Sequence, residues 1–184
     1  MPCEIPEVGR QLSMADYTRP ELIIPRLHES DPAGIIKELS QCLFRYDVIG
    51  DVLPSYHAAF NHDLLTNSAL PVGIAIPHAR SAHVRRLTLA IGRAIRPVVW
   101  GIKRSWSVDH VFLIAVPATD ALDYLALLSS IAGLGRQPER LAQLRTTTDA
   151  RDIFKMLKAI NVRPAETGAP ASGVLPRKNI RSFE

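Results

Sequence analysis

Between His110 and Val116 the chain runs almost without interruption through apolar residues, Val111-Phe112-Leu113-Ile114-Ala115-Val116, and Pro117 then stops it. The run has the length of a strand, and apolar character at every position implies a strand covered on both faces. Covering both faces requires helices on either side. The run therefore predicts an α/β layered domain, a small central mixed sheet flanked by helices.

The flanking segments supply those helices. Asp31-Pro32 reads as a cap followed by a proline in the first turn. Behind it Ile35, Ile36, Leu39, Cys42, Leu43 and Tyr46 recur at helical spacing. Val52 to Leu65 predicts a second helix with Pro54 in its first turn. After Pro117, Thr119 or Asp120 caps a helix in which Leu122, Leu125, Leu128, Ser129 and Ala132 share a face, closed by Gly133 and Gly135. Pro138 to Leu144 and Asp149 to Ile160 read as two more, the latter with Ile153, Met156, Leu157 and Ile160 inward. Strands are predicted at Ile74–Ile76, at Leu87–Ile95 by alternation, and at Val98–Ile102. Residues 1–19 lack a period and read as an amino-terminal arm. Residues 20–160 form the domain, and the Pro- and Gly-rich residues 161–184 read as a flexible tail.

Composition narrows the function classes. A net charge of +4 spread along 184 residues is too small and too dispersed for a nucleic-acid surface. Trp100 and Trp106 flank Lys103-Arg104 and suit packing at a strand turn better than a stacking platform. Two distant cysteines, Cys3 and Cys42, offer no disulfide framework and fit a reducing compartment. The first residues lack the basic and apolar regions of a signal peptide, and no apolar stretch reaches the roughly 18 residues of a membrane span. The expectation is a cytoplasmic protein without membrane insertion.

The stretch richest in chemistry is Gly73-Ile74-Ala75-Ile76-Pro77-His78-Ala79-Arg80. Pro77 supplies no N–H to a ladder and restricts Ile76, so His78 is expected at a strand end or in the loop beyond it. A neutral imidazole is nucleophilic, and its ordinary pKa of about 6.5 leaves it mostly neutral near pH 7. A phosphorylated imidazole needs donors and positive charge close by, which Arg80, Arg85 or backbone N–H groups can supply.

Gly-Ile-Ala-Ile-Pro-His resembles the active-site signature of phosphotransferase-system enzyme IIA domains of the fructose/mannitol and nitrogen-regulatory type. The similarity continues through Leu87–Gly92, Val98-Val99-Trp100, Val108–Pro117, Asp123–Ala132 and the Thr148–Leu157 helix, covering roughly residues 20–160. The resemblance implies that His78 accepts a phosphoryl group from the histidine phosphocarrier protein. His78 would pass the group to a transporter IIB domain or hold it as a signal toward a regulated target protein, by in-line transfer without metal or other cofactor. The family carries an Arg-Glu pair sixteen residues before that histidine; His62-Asp63 stands there here. It also carries a second histidine at the start of the helix after the Val-Pro strand end; Tyr124 stands there. Three outcomes stay open: a carrier with altered chemistry, a slowly phosphorylated regulator, or an interaction module that keeps the fold without phosphotransfer. With no transporter or phosphocarrier segment in this sequence, the nitrogen-regulatory branch is expected over a sugar-specific IIA subunit.

The remaining histidines are less informative. His83 lies near the loop and reads as an exposed spectator, while His28 and His110 read as structural or solvated. His57, His62 and His78 lack a tight metal-binding spacing, so no metal is expected. No P-loop, dinucleotide fingerprint or nucleophile elbow is present.

Overall fold

A computed structural model describes residues 11–102, 104–119 and 122–162. Asp120, most of the expected tail and residues 1–10 of the expected arm lie outside these residues.

Two long strands form the centre. β5 (Thr88–Trp100) and β6 (Trp106–Pro117) pair antiparallel, with Leu89 opposite Ile114 and Trp100 opposite Trp106. The two strands expected at Leu87–Ile95 and Val98–Ile102 are therefore one. Pro97 separates them in the sequence pattern, and the structure absorbs it at a register shift between Arg93 and Val98. Short strands complete a six-stranded mixed sheet in the order β1-β5-β6-β3-β2, where β1 is Ile23–Ile24, β2 Ala69–Leu70 and β3 Ile74–Ala75. β4 (His78–Ser81) pairs with β6 as well, in parallel.

Alternation along the central strands sorts their side chains into two cores. Ala90, Ala94, Val98 and Trp100 of β5, with Val111, Leu113 and Ala115 of β6, face α1 (Pro32–Arg45) and α2 (Val52–Thr66). Leu89 and Ile91, with Phe112, Ile114 and Val116, face α3 (Leu122–Gly133), α4 (Pro138–Thr146) and α5 (Ala150–Lys158). The expected three-layer α/β arrangement is the one observed, and β6 is buried on both faces, as its apolar run required.

Local signals explain the helix starts. The Asp31 carboxylate accepts the Gly34 N–H at 3.0 Å and Asp51 accepts that of Leu53 at 3.1 Å, while Asp149 caps α5 in the same way. The inward face of α3 differs from expectation: Ala126, Leu127 and Ile131 are buried, whereas Leu125 is 47% exposed. Leucine recurs around that helix at several spacings, so periodicity does not single out one face. Residues 11–19, expected as an arm, turn back into the second core. Met14 is fully buried and donates its N–H to the Ile160 carbonyl at 2.7 Å. Ser13 bridges Asn161, and the Val162 N–H reaches the Leu12 carbonyl at 2.8 Å, so the first two residues of the expected tail are packed too.

Gly73 makes the turn from β2 into β3. Its φ of +86° lies in the left-handed region, and its carbonyl accepts the N–H groups of Asp109 at 2.9 Å and His110 at 3.1 Å. A Cβ there would stand 2.8 Å from Arg145 Nη2. Gly73→Ala is expected to cost about 1–3 kcal/mol of stability. Urea denaturation checks this; an unchanged midpoint would contradict it.

Candidate functional site

β3 and β4 run along the same side of β6 in one continuous register: Ala75 is opposite Val111, and His78 is opposite Ile114. They are two halves of one strand interrupted at Ile76-Pro77. Pro77 cannot donate to the ladder, yet its carbonyl still accepts the Ile114 N–H at 3.0 Å. His78 is thus the first residue of a short strand rather than the last of one or part of a loop. The parallel pairing of β4 with β6 continues through Ser81, opposite Pro117.

The other edge of β4 carries no strand among the described residues, and α2 lies against it. This brings His62, from the last turns of α2, beside His78, with ring centroids 4.4 Å apart and planes inclined by 53°. Tyr124, in the first turn of α3, stands on the other side, 5.4 Å between centroids. Three residues separated by sixteen and forty-six positions in the chain therefore meet at one half-buried cluster. Arg80 follows His78 by two positions on β4, hence on the same face of the strand, and is exposed. Its charge acts on the Tyr124 hydroxyl, whose pKa is pushed up by burial and drawn partly back by Arg80.

His78 Nδ1 lies 2.8 Å from the Ile76 carbonyl. A carbonyl oxygen only accepts, so Nδ1 carries the proton in this contact and Nε2 holds the lone pair of the neutral ring. Burial lowers the His78 pKa below its ordinary 6.5. The Ile76 carbonyl opposes that shift, the His62 charge adds to it, and Asp63 works weakly against it. The ring is therefore neutral near pH 7, with its tautomer fixed by the backbone.

Asp63 explains why His62 is held there. It is buried at the end of α2, accepting the Trp100 indole N–H at 2.9 Å, the Ser68 N–H at 3.1 Å and the Ser68 hydroxyl. The helix is thus tied to β5 and to the start of β2 on the side away from His62. Only the position of Asp63 was legible beforehand, not its partners, because Trp100 lies thirty-seven residues away. His110, read from the sequence as structural or solvated, has partners that the sequence did not show: its Nδ1 contacts Asp109 at 2.7 Å, and Asp109 holds Arg145 at 2.7 Å. Arg145 also donates to the Val72 carbonyl at 2.8 Å, fastening α4 to the turn before β3. His110 is structural, with 1% exposure. His83 is exposed, and Trp100 and Trp106 pack in the first core, as expected. Among the described residues no cluster of three histidine, cysteine or carboxylate side chains is placed to hold a metal ion. No described helix is long and apolar enough to cross a membrane.

Two outcomes follow from this geometry. Asp63→Asn turns an acceptor into a donor facing other donors and is expected to cost about 2–3 kcal/mol in urea denaturation; a change below roughly 0.5 kcal/mol would contradict the anchoring role. For His78, the unfolded ring titrates at its ordinary 6.5 and the folded ring below it, so between the two values only the unfolded state binds the proton. The stability contributed by neutral His78 is complete above 6.5 and lost as pH falls through the folded value. The stability difference between wild type and His78→Ala should therefore rise with pH across that window; a pH-independent difference would contradict burial of the ring.

Comparison with known proteins fits this arrangement. Over 146 residues the chain is 25% identical to the nitrogen regulatory protein of Bradyrhizobium diazoefficiens, spanning 79% of this chain and 95% of that one. It is 26% identical over 148 residues to the transcriptional regulator ManR of Bacillus subtilis, spanning 80% of this chain and 22% of that protein. The fold superposes on nitrogen regulatory protein IIA-Ntr from Neisseria meningitidis with a TM-score of 0.71 at 24% identity, covering 78% of this chain and 98% of that one. It also superposes on the mannitol IIA protein of Escherichia coli, with a TM-score of 0.65 at 16% identity, covering 76% and 97%. Residues 16–160 match the model of the phosphoenolpyruvate-dependent sugar phosphotransferase system EIIA 2 family, and the chain belongs to that family.

Proposed function

We propose that this chain is a cytoplasmic phosphoryl carrier that accepts the group on His78 Nε2 from a histidine phosphocarrier protein. It then acts as a regulator, by binding protein targets differently in its two states. The observation that carries this is the contact between His78 Nδ1 and the Ile76 carbonyl at 2.8 Å, which leaves Nε2 as the nucleophile. In the transfer the Nε2 lone pair forms a bond to phosphorus in line with the breaking P–N bond of the donor phosphohistidine. The donor ring, protonated on its other nitrogen while it carries the group, departs as neutral imidazole, so the positive charge moves with the phosphoryl group. His78 becomes a phosphoimidazolium whose positive charge is stabilised by the same Ile76 carbonyl.

The neighbours fit supporting roles. A protonated His62 offers an N–H and a charge toward the phosphoryl oxygens, without the two-pronged geometry of arginine. Tyr124 is a neutral hydroxyl near pH 7, as an ordinary tyrosine is, and burial moves its pKa further up, so it is available as a donor. Arg80 adds a solvated cation on the same strand face. The match over 95% of the Bradyrhizobium regulator supports a regulatory role over that of a sugar-transporter subunit. A transporter IIB domain remains the alternative recipient: one structural relative is the complex of enzyme IIA-Mtl with phosphorylated enzyme IIB-Mtl of Escherichia coli, superposing at a TM-score of 0.64 and 15% identity. The second reading, an interaction module without phosphotransfer, is favoured by one observation. Among the described residues no guanidinium bonds to His78; its ring neighbours are His62 and Tyr124.

Incubation with the phosphorylated phosphocarrier protein of the same organism separates the two. Acid-labile label is expected on wild type and none on His78→Ala. His62→Ala is expected to slow labelling by about tenfold to a hundredfold. Folded wild type that stays unlabelled beside an active donor would overturn the carrier and leave the interaction module.

A further inference from the structure

Thr66 is the last residue of α2 and is exposed. Its hydroxyl nevertheless has two partners one turn back, both on His62: the backbone carbonyl at 2.9 Å and the ring Nδ1 at 3.4 Å. A carbonyl oxygen only accepts, so the single hydroxyl proton goes to that nearer partner. The Thr66 oxygen then meets the ring as an acceptor, and Nδ1 carries the proton in that contact. Nε2 is the ring nitrogen left over, as it is in His78.

The turn that carries Thr66 is anchored on both sides. The Asn67 N–H donates to the Asp63 carbonyl at 2.8 Å, and the Asn67 side-chain amide donates to the Arg104 carbonyl at 2.6 Å. Asp63 in turn holds Trp100 and Ser68. The hydroxyl therefore stands on fixed backbone although its residue is exposed.

The ring has need of such a partner. The terminal torsion of a histidine is broad and roughly two-fold, so packing alone does not choose which ring edge meets a neighbour. His62 and His78 lie 4.4 Å apart between ring centroids, close enough for that choice to decide which atom meets a group on His78. A guanidinium has five N–H donors, and an imidazolium has two. With one of the two given to Thr66, one remains.

We propose that Thr66 is a positioning residue for phosphoryl transfer at His78. Its hydroxyl engages His62 Nδ1–H, so that protonated His62 presents Nε2–H to the phosphoryl oxygens. The role rests on the carrier reading given above and leaves its chemical step unchanged, since no bond to Thr66 or His62 forms or breaks.

The test pairs two readouts on the full-length chain. Wild type is compared with Thr66→Val, Thr66→Ser, His62→Ala and the double variant Thr66→Val with His62→Ala. The first readout is a long-range ¹H–¹⁵N correlation spectrum of the unphosphorylated protein at pH 7.5, with the His62 signals assigned by their loss in His62→Ala. A protonated Nδ1 and a bare Nε2 are expected for His62 in wild type and in Thr66→Ser. Thr66→Val should lose that pattern while the His78 signals stay in place. The second readout is the rate of labelling from phosphorylated phosphocarrier protein. Thr66→Val is expected to slow it about threefold to tenfold, and Thr66→Ser to keep it near the wild-type rate. In a chain that already lacks His62, Thr66→Val should slow labelling no further, whereas a merely structural role would slow both backgrounds alike. Three results would each overturn the positioning role alone: an Nε2–H tautomer of His62 in wild type, a wild-type rate in Thr66→Val, or equal slowing with and without His62. A folded wild type that takes no label from an active donor would overturn the carrier reading and this role together, so the two failures are told apart.

Discussion

Pro77 withholds one N–H from the strand that runs beside β6, while its carbonyl keeps that strand in register through Ile114. The rest of the site depends on this interruption. The ladder resumes at His78 on an edge where no further strand pairs among the described residues, so that edge is open to α2. The Ile76 carbonyl is left to bond the ring two residues on, at 2.8 Å. A proline at an edge costs the sheet little. Here it converts a buried apolar run into a platform whose first polar residue has a fixed tautomer.

The two layers on either side of the sheet meet over that platform. His62 comes from the helix pair packed on the first core, and Tyr124 from the helices on the second. Asp63 faces inward to Trp100 and Ser68, so the helix position that His62 needs is set by buried hydrogen bonds rather than by the site itself. An imidazole and a phenol stand beside His78, and neither offers the two-pronged hydrogen-bonding geometry of a guanidinium. Burial favours the neutral His78 ring, and the bond to the Ile76 carbonyl, although it opposes that shift, places the neutral ring's proton on Nδ1 and leaves the lone pair on Nε2.

Much of this was legible in the residues, for identifiable reasons. The run Val111–Val116 read correctly because a strand buried on both faces leaves a continuous apolar trace. Asp31 marked a helix start because capping chemistry is local. Gly73–His78 located the central histidine. What escaped depends on distant contacts. Nothing in the pattern around Pro97 shows that two strand segments are one strand carrying a register shift. The leucine-rich α3 offers several faces of equal apolarity, so its buried set, Ala126, Leu127 and Ile131, is decided by packing. Met14 looks like part of an arm until Ile160 accepts its N–H. At the site, the positions of His62 and Tyr124 were legible through the family resemblance, but the bond from His78 to the Ile76 carbonyl was not, since it arises from backbone direction at Pro77.

The claim at the centre is that the backbone fixes His78 as the Nδ1–H tautomer with a free Nε2. A long-range ¹H–¹⁵N correlation spectrum of the histidine rings at pH 7.5 reads this directly. A protonated Nδ1 and an unprotonated Nε2 for His78, assigned by its loss in His78→Ala, is the expected pattern. An Nε2–H tautomer, or the averaged shifts of a freely exchanging ring, would contradict the geometry from which the phosphoryl-acceptor role is argued.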